Sequence, residues 1–356
     1  MKIRPIRYYF LLSLFLGLLS IILMFFSEII LWKFPKMVLL ADYLKEVSKR
    51  TYLSFFVYPV SIFSLLYFLP RVYGGFTNEY KVKFLFIIFP LLELFDLLFW
   101  NTPAVYGIKT VECFLIFYFL IPALRIEKIK RSFPSLPSIA IVSSMPLLEL
   151  FISPDLISIL FSLWWLFVVL EISFEISFFY KTKDLKDLSL FLLSTTILLV
   201  FVTRLTRSLP IFLISLVFST LFFITFVWNF RIEEISPKNP YKQSLFVVSV
   251  TVLLLPVLSY FDVTGIPTFL VLLVSIYNIL FFSIMLDILP SINFSLYPVE
   301  SGRNLILAYY YVSLLFFFLA VFFGEYYFEL LLAGLTLSII SFGLGLREII
   351  FLSPSL

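Results

Sequence analysis

The stretch "PLLELFDLLFW", Pro90 to Trp100, sets Glu93 and Asp96 three residues apart inside an otherwise unbroken apolar run. A half-buried strand would alternate apolar and polar positions. This run is continuous, and its two acids have the i, i+3 spacing of one helix face. Runs of the same apolar density recur along all 356 residues, of which 62% are hydrophobic and 13% charged, with a mean hydropathy of +1.09. Soluble domains carry roughly a quarter charged residues. Runs this long cross a hydrocarbon core of about 30 Å as helices rising about 1.5 Å per residue. In lipid only helices or closed barrels satisfy every backbone N–H and C=O, and continuous rather than alternating runs select helices. The sequence therefore predicts an all-α polytopic membrane protein, a single integral domain over 1–356 embedded in the lipid bilayer.

Apolar periodicity and turn residues divide the chain into about twelve helices: 8–32, 51–69, 84–100, 104–124, 136–153, 156–180, 188–203, 210–230, 244–261, 266–289, 304–323 and 326–346. The charged start and long apolar run of "MKIRPIRYYFLLSLFLGLLSIILMFF" read as a retained first helix, because no small-residue cleavage site follows. Counted on alternate sides of this segmentation, Lys and Arg number 18 on the side of the two termini and 8 on the other. The positive-inside rule then places both termini, and the loop from Pro290 to Arg303, in the cytoplasm of a cell-membrane protein. The exception is "KFPKMVLLADYLKEVSKR", Lys33 to Arg50, which puts five basic residues outside and reads as an amphipathic helix on the membrane surface.

The opening words repeat. "PLLELF" returns at Pro146 to Phe151 and a looser "PVLSYFD" at Pro256 to Asp262, so the three prolines are separated by 56 and then 110 residues. A period near 55 fits one helical hairpin, giving possible repeats near 84–124, 136–180, 188–230, 244–289 and 304–346. Coincidence in a Leu- and Phe-rich chain is the competing explanation. Under either, each proline removes a backbone bond and bends its helix.

A charge at the bilayer centre costs about 2.5–3.5 kcal/mol on insertion scales, so Glu93 and Asp96 are expected to face the bundle interior. Glu149 holds the place of Glu93 in the second copy of the motif. The available cations on the same side are Lys109, Arg204 and Arg207, and Glu28, Glu112, Asp155, Asp262, Glu325 and Glu329 add to an acidic outer half. These residues form either neutralised ion pairs or a proton or cation path; an acidic exterior that protonates them is a third possibility. Glu171 and Glu175, one turn apart, form a solvated helix end or an inner ion site with Lys181 or Lys183. Trp164, Trp165 and the run Tyr309 to Tyr311 serve packing or a ring-shaped ligand such as a quinone.

With no histidine and one cysteine, Cys113, the chain cannot by itself ligate haem through paired histidines, build an iron–sulfur cluster or form an internal disulfide. No cofactor or metal is therefore expected. Walker A, Gly-x-Gly-x-x-Gly, GxSxG and HExxH sequences are absent, so no catalytic constellation points to an enzyme. A net charge of +4, dispersed, gives no nucleic-acid surface. Ten glycines are few for a transporter built on broken helices.

In size, hydrophobicity and lack of haem ligands, the chain resembles the hydrophobic membrane partner of the archaeal b-type cytochrome exposed on the outer face of the membrane. The resemblance runs over the whole chain at the level of composition, without a shared motif. It implies that redox centres belong to the partner and that this chain anchors it. Two functions follow as expectations: a cofactor-free subunit scaffolding an electron-transfer assembly, with a partner docked on its acidic outer face, or a proton-coupled permease using Glu93, Asp96 and Glu149.

Overall fold

The computed structural model describes residues 4–57, 79–99, 102–120, 143–152, 154–177, 183–229, 240–279 and 303–351. Among these residues the structure is entirely helical, with no strand. In chain order the helices are α1 (Arg4–Lys33), α2 (Val38–Tyr52), α3 (Glu79–Phe99), α4 (Ala104–Leu120), a short α5 at 143–148, α6 (Pro154–Ser177), α7 (Lys183–Thr206), α8 (Leu209–Asn229), α9 (Pro240–Phe261), α10 (Ile266–Ile279), α11 (Arg303–Phe322) and α12 (Tyr327–Phe351). Among the described residues six stretches, in α1, α7, α8, α9, α11 and α12 with the single 3-10 turn Gly324–Tyr326 that leads into it, are long and apolar enough to cross a bilayer. The chain is a helical membrane protein. The expected stretches 58–69, 121–124, 136–142, 178–180 and 280–289 lie outside the described residues, as does the loop to Gly302.

The chain divides into two compact units: residues 1–24 with 42–161, and residues 25–41 with 162–356. In the first unit α3 packs on α4 and on the single π turn Leu53–Val57 that prolongs α2. The basic stretch expected on the membrane surface is indeed helical from Val38, and in this unit it pairs with α1: Ser20 Oγ donates to the Ser48 carbonyl at 2.9 Å and Ser48 Oγ to the Ser20 carbonyl at 2.7 Å. Lipid tails are as apolar as leucine, so hydrophobic burial does not drive helix against helix inside a membrane. Small residues and hydroxyls that let backbones approach do.

In the second unit α9 is the centre, touching α7, α8, α10 and α11. Short connections force α7–α8, α9–α10 and α11–α12 to run as antiparallel hairpins. Residues 266–278 of α10 are buried without exception, which suits a 14-residue helix apolar all round. At the α11–α12 contact a Cβ on Gly334 would lie 2.6 Å from the Phe317 ring, so glycine sets that approach. Pro90 and Pro256 both sit inside helices, α3 and α9, where the expected loss of one backbone bond is absorbed without ending the helix.

Candidate functional site

The first unit gathers four of its buried charges, Glu93, Asp96, Lys109 and Glu112, at one point. Glu93 and Asp96 share a face of α3 near its end, and Thr102 restarts the chain by holding the Phe99 carbonyl with both its amide and its hydroxyl at 2.8 Å. The returning helix α4 brings Lys109 back to the height of the two acids, with Glu112 one turn further along the same face. Glu149 arrives from the turn after α5, its amide bonded to the Met145 carbonyl at 3.1 Å.

Four carboxylates converge on the Lys109 ammonium. Lys109 Nζ lies 2.9 Å from Glu149 Oε2, 3.0 Å from Asp96 Oδ2, 3.2 Å from Glu112 Oε2 and 3.5 Å from Glu93 Oε2. The side chains of Glu93 and Glu112 are fully buried, those of Lys109 and Asp96 nearly so, and only Glu149 is 15% exposed. The site is therefore dry on the side of α3 and α4 and reaches its surroundings through Glu149. Arg50 of α2, in the same unit, is ion-paired to Glu46 at 2.9 Å. Asp96 Oδ1 and Glu112 Oε1 are buried and accept no hydrogen bond. Among the described residues no set of acids is spaced to hold a metal ion.

Arg204 and Arg207 belong to the second unit and hold backbone carbonyls there. Both donate to the turn between α9 and α10, Arg204 to the Asp262 carbonyl and Arg207 to the Val263 carbonyl at 3.2 Å. Asp262 itself is consumed by that turn. Its Oδ1 accepts from the Gly265 amide at 2.9 Å and the Thr264 hydroxyl at 3.0 Å, and its Oδ2 from the Thr268 amide at 2.9 Å and hydroxyl at 2.7 Å. An acid here closes the amides that open α10, while Gly265, at φ 76°, supplies the left-handed residue the turn needs.

The structure thus brings together Glu93, Asp96, Glu149 and Lys109 among the sequence candidates and puts Arg204 and Arg207 at another corner. Glu112 completes the site; its signal was the i+3 spacing from Lys109 on one helix face. Glu171 and Glu175 lie on α6, and their side chains, like that of Trp165, fall outside the described residues, as does Lys181. Trp164 packs on Phe167 with ring centroids 5.3 Å apart. No protein-family model, curated protein or solved structure matches the chain.

Proposed function

We propose that the chain is a multi-pass protein of the cell membrane, of about twelve crossings with both termini cytoplasmic, whose Lys109 cluster exchanges protons in coupled transport. The observation that carries this reading is the ratio of four carboxylates to the one ammonium on which they converge, all within 3.5 Å. A structural clamp needs one carboxylate for its lysine. Every further acid adds desolvation cost and repels its neighbours, and like charges crowded in a dry site titrate as a coupled set rather than all staying ionised. Buried acids facing a bundle interior are the usual material of proton relays. Glu149, the partly exposed member, is the port of the set, and Glu93 and Glu112, both fully buried, are its inner acceptors.

The test is proton movement by the purified chain in vesicles carrying an entrapped pH dye and an imposed potassium diffusion potential. Uptake faster than in protein-free vesicles is expected, with Glu112→Gln removing most of the difference while the protein stays folded. Equal rates with and without protein overturn the reading. A cysteine placed at Ser295 that resists an impermeant outside reagent supports the orientation, and its ready labelling reverses it.

A second reading, the cofactor-free subunit that anchors an electron-transfer assembly and docks a cytochrome outside, is favoured by the Asp262 corner, where an acid of the repeated motif does nothing but build a hairpin. Co-isolation of a coloured cytochrome in mild detergent, from a chain that moves no protons, selects it.

A further inference from the structure

A cavity of about 320 Å³ lies in the second unit between α9, α10 and α11. Its walls are apolar: Val250 and Leu254 of α9, Val271 of α10, and Leu315 and Phe318 of α11 are among them. Leu315 is 54% exposed, so the cavity opens sideways rather than being sealed. Two lining residues carry hydroxyls. Thr251 spends its own on the Val247 carbonyl of the preceding turn at 3.0 Å. The Tyr311 hydroxyl is buried and has no partner.

An unpaired buried hydroxyl is costly, and an acceptor brought beside it would remove that cost. What could bring one there follows from depth. Tyr311 stands about 12 Å along α11 from Arg303 and about 17 Å from Phe322, near the middle of a membrane-crossing helix at about 1.5 Å per residue. Water is scarce at that depth, and the ester carbonyls of phospholipids lie with the headgroups at the boundary of the core. An acyl chain reaching the cavity offers methylenes only. The occupant must carry its own acceptor into the hydrocarbon and must be uncharged, because no lining side chain is ionisable as a cation or a carboxylate.

We propose that this cavity binds a neutral, membrane-dissolved molecule with a carbonyl on a flat ring and an apolar tail, the chemistry of an isoprenoid quinone, and that Tyr311 donates to the carbonyl. The volume equals roughly ten waters at about 30 Å³ each, the scale of a substituted one- or two-ring head. The Phe318 ring supplies a face for it, and the lateral opening lets the tail remain in lipid. The site is independent of the Lys109 cluster and requires nothing of it.

The experiment uses the full chain in quinone-free lipid nanodiscs, titrated with decyl-benzoquinone and, in parallel, with decylbenzene, which has the same tail and no carbonyl. Saturable binding of the quinone is expected, weakened about tenfold by Tyr311→Phe, as loss of one buried hydrogen bond implies, and abolished by Val250→Trp, which fills the cavity. Decylbenzene is expected to bind more weakly and to be indifferent to Tyr311→Phe. Absence of saturable quinone binding by the wild-type chain overturns the proposal. So does equal binding of both compounds with no effect of Tyr311→Phe, which would make the cavity a groove for acyl chains; thermal stability of ligand-free Tyr311→Phe at or above that of the wild type ensures that the comparison concerns the site.

Discussion

"PLLELFD" in α3 and "PVLSYFD" in α9 place a proline and an aspartate at the same spacing, yet the two aspartates do different work. Asp96 lies within α3, which runs on to Phe99, so its side chain stays on a helix face and meets Lys109. Asp262 follows the last residue of α9, Phe261, and both its oxygens close the turn into α10. What differs is the sequence just after the motif: "LLFW" continues the helix, whereas "VTGIP" supplies the threonine, the positive-φ glycine and the early helical proline of a capped turn. The position three residues after the proline differs as well, glutamate in one copy and serine in the other. One local motif thus yields a charge cluster or a hairpin cap according to its neighbours.

The sharpest way to break this comparison is to remove the cation. Lys109→Met leaves four acids facing one another without their shared ammonium, whereas nothing at the Asp262 corner depends on it. Stranding a buried charge costs about 3–5 kcal/mol, so the variant is expected to lose most of its folded, monodisperse yield in size-exclusion chromatography. Adding Asp96→Asn and Glu112→Gln to Lys109→Met should restore part of that yield, because the repulsion is then relieved. A wild-type yield of Lys109→Met alone would mean that the cluster is not the charge centre of its unit.

The Asp262 corner comes next. Asp262→Ala opens four hydrogen bonds at a helix start and should lower stability by about 1–2 kcal/mol, with Asp262→Asn losing less because one oxygen remains. Thermal unfolding in detergent checks both. Proton uptake by vesicles should be unchanged in either variant, in contrast with Glu112→Gln.

Much of this could be read from the residues. Apolar run length and turn residues located most of the described helices, although the stretch expected to be helical to 153 ends at 148 and turns through Glu149, and Lys109 was a foreseeable partner because one short turn returns α4 alongside α3. The repeated "PLLELF" tied Glu149 to Glu93 before any geometry was known. Glu112 was less visible: in the sequence it looks like one more acid of the outer half, and only its place beside Lys109 on a face that turns inward makes it a member. Arg204 and Arg207 could not be assigned, because an arginine at one hairpin corner carries no mark of which turn, 56 to 58 residues away, its guanidinium will meet. Ser48 was equally silent, since a polar stretch with five basic residues reads as surface until its serine is seen paired with Ser20.

A smaller effect separates clamp from excess within the cluster. Asp96→Asn removes one carboxylate of four, leaves Lys109 three partners and relieves repulsion among them. Its cost should be under about 1 kcal/mol, within the range of single polar contacts in membrane bundles, against the much larger loss on removing Lys109. A loss as large as that of Lys109→Met would show Asp96 to be the indispensable partner and the other acids to be bystanders.

The smallest expected effect lies at Ser259, which occupies in α9 the place Glu93 holds in α3. Ser259 is fully buried and its hydroxyl has no hydrogen-bond partner. A buried unpaired hydroxyl is a cost rather than a contribution, so Ser259→Ala should be neutral or stabilising by up to about 1 kcal/mol in thermal unfolding. Proton uptake should not change. Ser259→Glu rebuilds the first copy of the motif without a cation assigned to receive it, and the burial cost of an unmatched carboxylate should then appear in full as lost folded protein. If Ser259→Glu were instead tolerated, the second unit would have to supply a partner at that depth, and the contrast between the two copies would rest on the serine rather than on the cation that Lys109 provides.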